Sequence, residues 1–290
     1  MKSSLLLLLI VAGLISCDKD DDDENEKNLR LDVTGLQDLG ANNVYEGWII
    51  VNGNPVSTGT FTVDGSGQLS RNEFMVNKNQ LQNATAFVLT IEPVPDNNPA
   101  PSDIKIVGGD FNGKTASISV SHSSALGSSF GSASGTYILA TPTNGIGTNE
   151  NSGVWFLNPD AGPGPSLTLP ALPGGWKYEG WAVLNGTPLT TGKFSMPAGA
   201  DETAPFSGPV AGPPFPGEDY LMNAPAGFTF PTDLAGQKVV ITIEPNPDNS
   251  PAPFSLKPLS ADVPTNATDH VSYALTNSAA MSNPAGTVTR

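Results

Sequence analysis

The segment Val44-Tyr45-Glu46-Gly47-Trp48 returns as Lys177-Tyr178-Glu179-Gly180-Trp181, and much of the adjoining sequence returns with it. Asn52-Gly53-Asn54-Pro55 is matched by Asn185-Gly186-Thr187-Pro188, and Thr58-Gly59-Thr60-Phe61 by Thr191-Gly192-Lys193-Phe194. Further on, Thr90-Ile91-Glu92-Pro93 is matched by Thr242-Ile243-Glu244-Pro245, and Pro99-Ala100-Pro101 by Pro251-Ala252-Pro253. An internal repeat of this order requires one supersecondary plan used twice, so it limits the fold more than any single motif. Tyr45 and Tyr178 are 133 positions apart, as are Phe61 and Phe194, whereas Glu92 and Glu244 are 152 apart. The second copy therefore carries 19 extra residues, which fall in a Pro/Gly-rich stretch around 200–230.

The first thirty residues bear on location. Lys2 precedes an apolar run over 5–15, too short to cross a bilayer but suited to the core of a secretory signal. The run ends in Leu14-Ile15-Ser16-Cys17, which resembles a bacterial lipobox, and Cys17 is the single cysteine. Residues 1–16 are accordingly expected to be a lipoprotein signal peptide, with lipid on Cys17 anchoring the chain in a bilayer. The acidic run over 18–26 repels itself and cannot bury apolar area, so 17–28 is expected to be a tether. Beside a lipidated cysteine it is similar to the surface-export signal of Bacteroidetes-type lipoproteins; a plain periplasmic spacer is the other reading. An outer-membrane lipoprotein of the cell envelope, exposed on the surface, is the expected location. A formal net charge of −15 disfavours nucleic acid as a partner. One cysteine excludes an intrachain disulfide and a Cys-based zinc site.

The 31 glycines and 27 prolines punctuate short runs rich in Val, Ile, Thr, Phe and Tyr. This pattern predicts an all-β chain of two tandem β-sandwich, immunoglobulin-like domains, over 29–130 and 131–290. Strands are expected at 45–51, 59–63, 86–92, 116–121, 136–140 and 154–157. Further strands are expected at 178–184, 192–196, 238–244 and 270–275. The 200–230 stretch reads as an elaborated loop whose Phe206, Phe215, Tyr220, Phe228 and Phe230 serve packing or a ligand, packing being the reading adopted.

Alternation puts Glu46, Trp48 and Ile50 on one strand face, with Glu179, Trp181 and Val183 as counterparts. A Glu on an aromatic face reads either as a polar site or as a strand-end residue tied to a neighbour, and the structural reading is adopted. Glu92 and Glu244 end their strands before Pro. Two Glu per copy suggest a glycosidase pair, although nothing in the sequence brings them together. The loops around Asp96 and Asp248 are rich in oxygen, but neither matches a calcium loop, and Asp and Asn flanked by Pro is turn chemistry. His122 and His270 accompany no nucleophile motif. No catalytic residue, metal ligand or cofactor is therefore expected.

At its repeated residues the chain resembles the extracytoplasmic C-terminal domain of anti-sigma-K factors of the RskA type. That domain has a Tyr-x-x-Trp strand, a Gly-Pro turn, Gly-x-Phe, and a strand ending in Glu-Pro. The matching positions are Tyr45, Trp48, Gly53, Pro55, Gly59, Phe61, Thr90, Glu92 and Pro93. In the second copy they are Tyr178, Trp181, Gly186, Pro188, Gly192, Phe194, Thr242, Glu244 and Pro245. The turn after Glu-Pro departs from the family, as do the expected lack of a sigma-binding segment and of a membrane-spanning helix. The resemblance thus implies a sensor-like β module rather than sigma inhibition. The expected function is non-enzymatic binding or sensing of an unknown protein or glycan. The alternatives are a glycan-active enzyme using the long second-copy loop, or an accessory regulator of an anti-sigma/sigma pair.

Overall fold

The computed structural model describes residues 25–144, 147, 149–160, 162–248 and 250–290. Cys17 and the expected signal peptide lie outside them. The first strands are β1 (Glu26–Thr34), β2 (Asn43–Val51), β3 (Asn54–Phe61) and β4 (Glu73–Asn77). A short helix α1 (Lys78–Asn83), capped by the Asn77 side chain, leads to β5 (Ala84–Pro93), β6 (Lys105–Asn112) and β7 (Thr115–Ser119). Next come β8 (Thr136–Leu139), β9 (Gly153–Trp155), β10 (Leu157–Asn158), β11 (Gly164–Pro165), β12 (Trp176–Leu184), β13 (Thr187–Phe194) and β14 (Gly217–Asp219). The chain closes with β15 (Lys238–Pro245), β16 (Leu259–Asp262), β17 (Tyr273–Ala274), β18 (Thr276–Asn277), α2 (Ala279–Ser282) and β19 (Ala285–Thr289).

The fold is all-β and of sandwich type, as the composition and alternation predict. One eight-stranded sheet has the order β3-β2-β5-β6-β7-β19-β1-β4 and curls nearly into a barrel. A five-stranded sheet, β13-β12-β15-β16-β18, repeats the β3-β2-β5-β6 neighbourhood of the first. A four-stranded sheet, β14-β9-β8-β17, and a β10-β11 ribbon complete the architecture.

Local chemistry explains why the two halves share this layout. Asn52 and Gly53 have φ of 52° and 79°, and Asn185 and Gly186 have φ of 50° and 84°. Two successive left-handed residues make the tight turn that suits the right-handed twist of a hairpin, which is why Asn-Gly stands at both places. Each hairpin then bulges at the same point. Gly47 pairs with Gly59 but Trp48 with Ser57, leaving Thr58 as the extra residue; Gly180, Gly192, Trp181, Thr190 and Thr191 repeat this. A Cβ on Gly47 would lie 2.5 Å from the Thr58 hydroxyl, and one on Gly180 2.1 Å from that of Thr191. The bulge threonine is thus folded over a position that only glycine can occupy.

Two findings differ from the sequence expectation. Residues 26–28, expected in the tether, open β1 and pair with Met75 to Asn77, because Leu29, Leu31 and Val33 alternate into the core. Residues 285–289 pair with β1 on one side and β7 on the other, so they lie in the first sheet rather than with the strands that precede them. One hydrophobic cluster accordingly runs from Leu29 through Tyr45, Phe130, Phe156, Tyr178 and Ile241 to Val288.

Arg290 fixes the returning strand in place. Its guanidinium donates to the carbonyls of Leu81 (2.7 Å), Ala84 (2.6 Å) and Gly113, and lies 4.3 Å from the centre of the Phe111 ring. We expect Val288→Asp to cost roughly 3 kcal/mol or more, since it puts a carboxylate at a fully buried position. Arg290→Ala should cost about 1–3 kcal/mol through its lost carbonyl contacts. Urea unfolding of the two variants measures both, and Arg290→Lys should recover only part of the second loss.

Candidate functional site

The register of β2 against β5 sets Glu46 opposite Thr90 and Val44 opposite Glu92. Alternation then gathers Glu46, Trp48, Thr90 and Glu92 on one face. The Trp48 indole N–H donates to the Thr90 hydroxyl at 2.9 Å, and that hydroxyl donates to Glu92 Oε1. The Ser102 amide donates to the same oxygen at 2.9 Å, and the Ser57 hydroxyl donates to Glu46 Oε1.

The second half builds the same arrangement. Trp181 donates to Thr242 at 2.8 Å, Thr242 donates to Glu244 Oε1, and the Phe254 amide donates to that oxygen at 2.8 Å. Thr190 takes the place of Ser57 and donates to Glu179 Oε1 at 2.6 Å. On the opposite face of the same strands, Tyr45 stacks on Phe61 at 5.5 Å and Tyr178 on Phe194 at 5.6 Å.

All four carboxyls are buried: Glu46 is 9 % exposed, Glu92 2 %, Glu179 4 % and Glu244 1 %. The structure thus brings together the Glu pairs that the sequence leaves apart and buries them, although Glu244 also lines a cleft of about 710 Å³. Burial pushes Glu244 up to about 7 against the donors from Thr242 and Phe254. Burial also raises Glu179, opposed by its Thr190 hydrogen bond and by Lys193. Glu46 rises for the same first reason, opposed by Ser57 and reinforced by Glu92 and Asp96.

One difference between the halves changes the charge beside the carboxyls. Lys193 of the second half faces Glu179 and Asp248, with Nζ 4.0 Å from Glu179 Oε2 and 3.0 Å from Asp248 Oδ2. The matching position in the first half is Thr60, which is exposed, as is Asp96. Glu179, Glu244 and Asp248 lie close enough for one oxygen of each to fall within 4.8 Å of the others. The oxygen-rich loop after β15 therefore folds its aspartate back onto the strand carboxyls. The 133-residue register aligns Lys193 with Thr60, but the consequence depends on the position of Asp248, 55 residues further on.

The other sequence candidates lie elsewhere. His122 meets Asp110 at 3.4 Å and His270 meets Asp269 at 3.0 Å. In the inserted stretch, Phe206, Tyr220 and Phe230 pack on one another with centroids 5.5–5.7 Å apart. Phe215 joins Trp155 in a small separate core. The insertion also supplies β14, whose fully buried Asp219 accepts from the Trp155 indole at 2.7 Å and from the Thr143 amide at 2.8 Å.

Residues 22–104 match the family model for the C-terminal region of anti-sigma-K factor RskA. The match covers Glu46, Trp48, Thr90, Glu92 and Asp96, so the first-half network lies inside the RskA-type segment. No curated protein and no solved structure matches the chain. Among the described residues no helix is long and apolar enough to cross a membrane.

The networks can be tested through stability and its dependence on pH. Thr242→Val keeps the shape but leaves the Trp181 indole without an acceptor and removes a donor from Glu244; it should cost about 2 kcal/mol in urea unfolding. The second test concerns pH. A carboxyl whose folded pKa is raised contributes stability that is complete below its unfolded pKa and is lost as pH rises through the folded value. Glu244 at about 7, Asp201 at about 7 and Glu218 at about 8, all raised first by burial, place the loss between about pH 4 and 8. The melting temperature should therefore fall across that interval, and Glu244→Gln should flatten the decline.

Proposed function

We propose that this chain is a lipid-anchored protein of the cell envelope, attached to the outer membrane through Cys17 and displayed on its surface by an acidic tether. Its two related β modules bind a protein or glycan outside the cytoplasm without turning it over. The observation that carries this reading is the RskA-type match over 22–104 on a chain that opens with the lipobox-like Leu14-Ile15-Ser16-Cys17. The second half is taken as a second copy of the module, because its hairpin, bulge and Trp-Thr-Glu network recur residue for residue.

Burial of the repeated carboxyls favours binding over hydrolysis, since a general acid must reach the bond it cleaves. The family description gives one specific reason for a second reading, an accessory role beside an anti-sigma/sigma pair, although sigma inhibition itself is not carried over.

Expression with a palmitate analogue should label the wild-type chain and leave it in the membrane fraction, whereas Cys17→Ala should be unlabelled and absent from that fraction. Retention of label or membrane association by Cys17→Ala would refute the anchor. Turnover of a glycan panel, lost in Glu46→Gln or Glu92→Gln, would refute the non-catalytic reading.

A further inference from the structure

Oxygen atoms of the second half converge on the Lys193 ammonium. Besides Asp248 Oδ2 and Glu179 Oε2, the Asp248 carbonyl oxygen lies 3.3 Å from Nζ. Glu244 completes a group of three carboxylates, and among the described residues this is the group whose ligand atoms gather within 4.8 Å.

The carboxylates are oriented as ligands are. Each has one oxygen tied to the scaffold: Glu179 Oε1 to Thr190, Glu244 Oε1 to Thr242 and the Phe254 amide, and Asp248 Oδ1 to the Ser250 amide at 2.7 Å. These outer partners fix the orientation of the groups they hold. The opposite oxygens, Glu179 Oε2 and Asp248 Oδ2, are buried and receive no hydrogen bond; their one close cation is the Lys193 ammonium. The side chains of Glu179 and Asp248 are only 5 % and 7 % exposed, while that of Lys193 is 26 % exposed and can turn outward.

The Lys193 ammonium is one charge facing two carboxyl groups, those of Glu179 and Asp248. A divalent ion can balance both, and hard oxygen ligands select ions of the calcium or magnesium type. Calcium accepts an irregular set of about six to eight oxygens, whereas magnesium demands a near-ideal octahedron and keeps several of its waters, so a set of three carboxylates and a backbone carbonyl suits calcium better. Access exists as well: Glu244 and Asp248 line a cleft of about 710 Å³ that also touches Gln37, Asn43 and Asp103 of the first half. Water in that cleft would complete the coordination.

We infer that Glu179, Glu244, Asp248 and the Asp248 carbonyl form a calcium site in the second half, with the Lys193 ammonium leaving as the ion enters. Lys193 is then a built-in competitor that weakens the site. The first half has Thr60 at the matching position, and its Asp96 is exposed rather than gathered with Glu46 and Glu92.

Calorimetric titration of calcium chloride into the chelator-treated chain tests this. Uptake should saturate at one ion per chain with a dissociation constant of order 10⁻⁴–10⁻³ M, the range of extracellular calcium modules. Lys193→Met should tighten it about tenfold. Glu179→Gln and Asp248→Asn, which keep shape, should abolish it while circular dichroism stays unchanged, and Glu46→Gln should leave it intact. Absence of uptake by both wild type and Lys193→Met at 10 mM calcium, about tenfold above the weakest expected constant, would overturn the site. So would loss of uptake in Glu46→Gln but not in Glu179→Gln. Equal binding of magnesium would overturn the calcium assignment.

Discussion

Because Val288 sits opposite Leu31 on one side and Ala116 on the other, the first sheet is complete only when residues 285–289 have returned to it. β7 and β19 are neighbours in space, yet the whole second half lies between them in sequence. Any sheet with a missing central strand exposes two edges and a strip of core, so the return of β19 is a condition for the first half rather than an addition to it. The continuous hydrophobic cluster results from this arrangement. The halves also meet side by side: a Cβ on Gly175 would collide with the Asp103 backbone at 2.7 Å, and the Ser255 amide donates to Gln37 at 2.5 Å. Such long-range pairing is costly to nucleate, since a loop of more than 160 residues must close before β19 is rewarded.

Within that frame, the two halves keep one interior and vary its charge. The Trp-to-Thr-to-Glu relay satisfies an indole N–H and half of a carboxyl at the same time, which lets a strand hold a buried Glu without a cation beside it. Carboxyls held by neutral donors keep an open choice between a proton and a counter-ion, and burial favours the proton. The second half supplies a counter-ion with Lys193, whereas the first half keeps its aspartate in solvent. The exchange of Thr60 for Lys193, together with the inward placing of Asp248, thereby changes what a shared scaffold can hold.

The parts that were legible in the sequence are those with local causes. Asn52-Gly53 and Asn185-Gly186 announce hairpins because few other pairs accept two positive φ values. Alternation put Glu46 beside Trp48 on one face of β2, as the structure has them. β1 was hidden by its polar outer face and by the acidic run before it, although Leu29, Leu31 and Val33 alternate cleanly. β6 was hidden by Gly108 and Gly109, which weaken a strand signal; there a Cβ on Gly109 would meet the Ser117 carbonyl at 2.1 Å. The meeting of Glu46 with Glu92 depends on register between residues 46 positions apart, and the pairing of β19 on contacts across most of the chain. No local pattern encodes either.

The same topology qualifies what the family match means physically. Residues 22–104 contain β1 to β5, and the strand order separates these into a β3-β2-β5 group and a β1-β4 group. Between the groups stand β6, β7 and β19, none of which lies in the matched segment. The segment therefore carries the Tyr-Glu-Gly-Trp strand, its hairpin and the Thr-Ile-Glu-Pro strand as one continuous unit, and this unit recurs as β12, β13 and β15. The matched segment includes that three-strand unit and its buried network as well as β1 and β4, whereas the strands that join the two groups lie beyond it. A unit that is locally complete but needs foreign strands to cover its edge can be used twice in one chain with two different completions. In the first half the completion is β6, β7 and β19, and in the second it is β16 and β18.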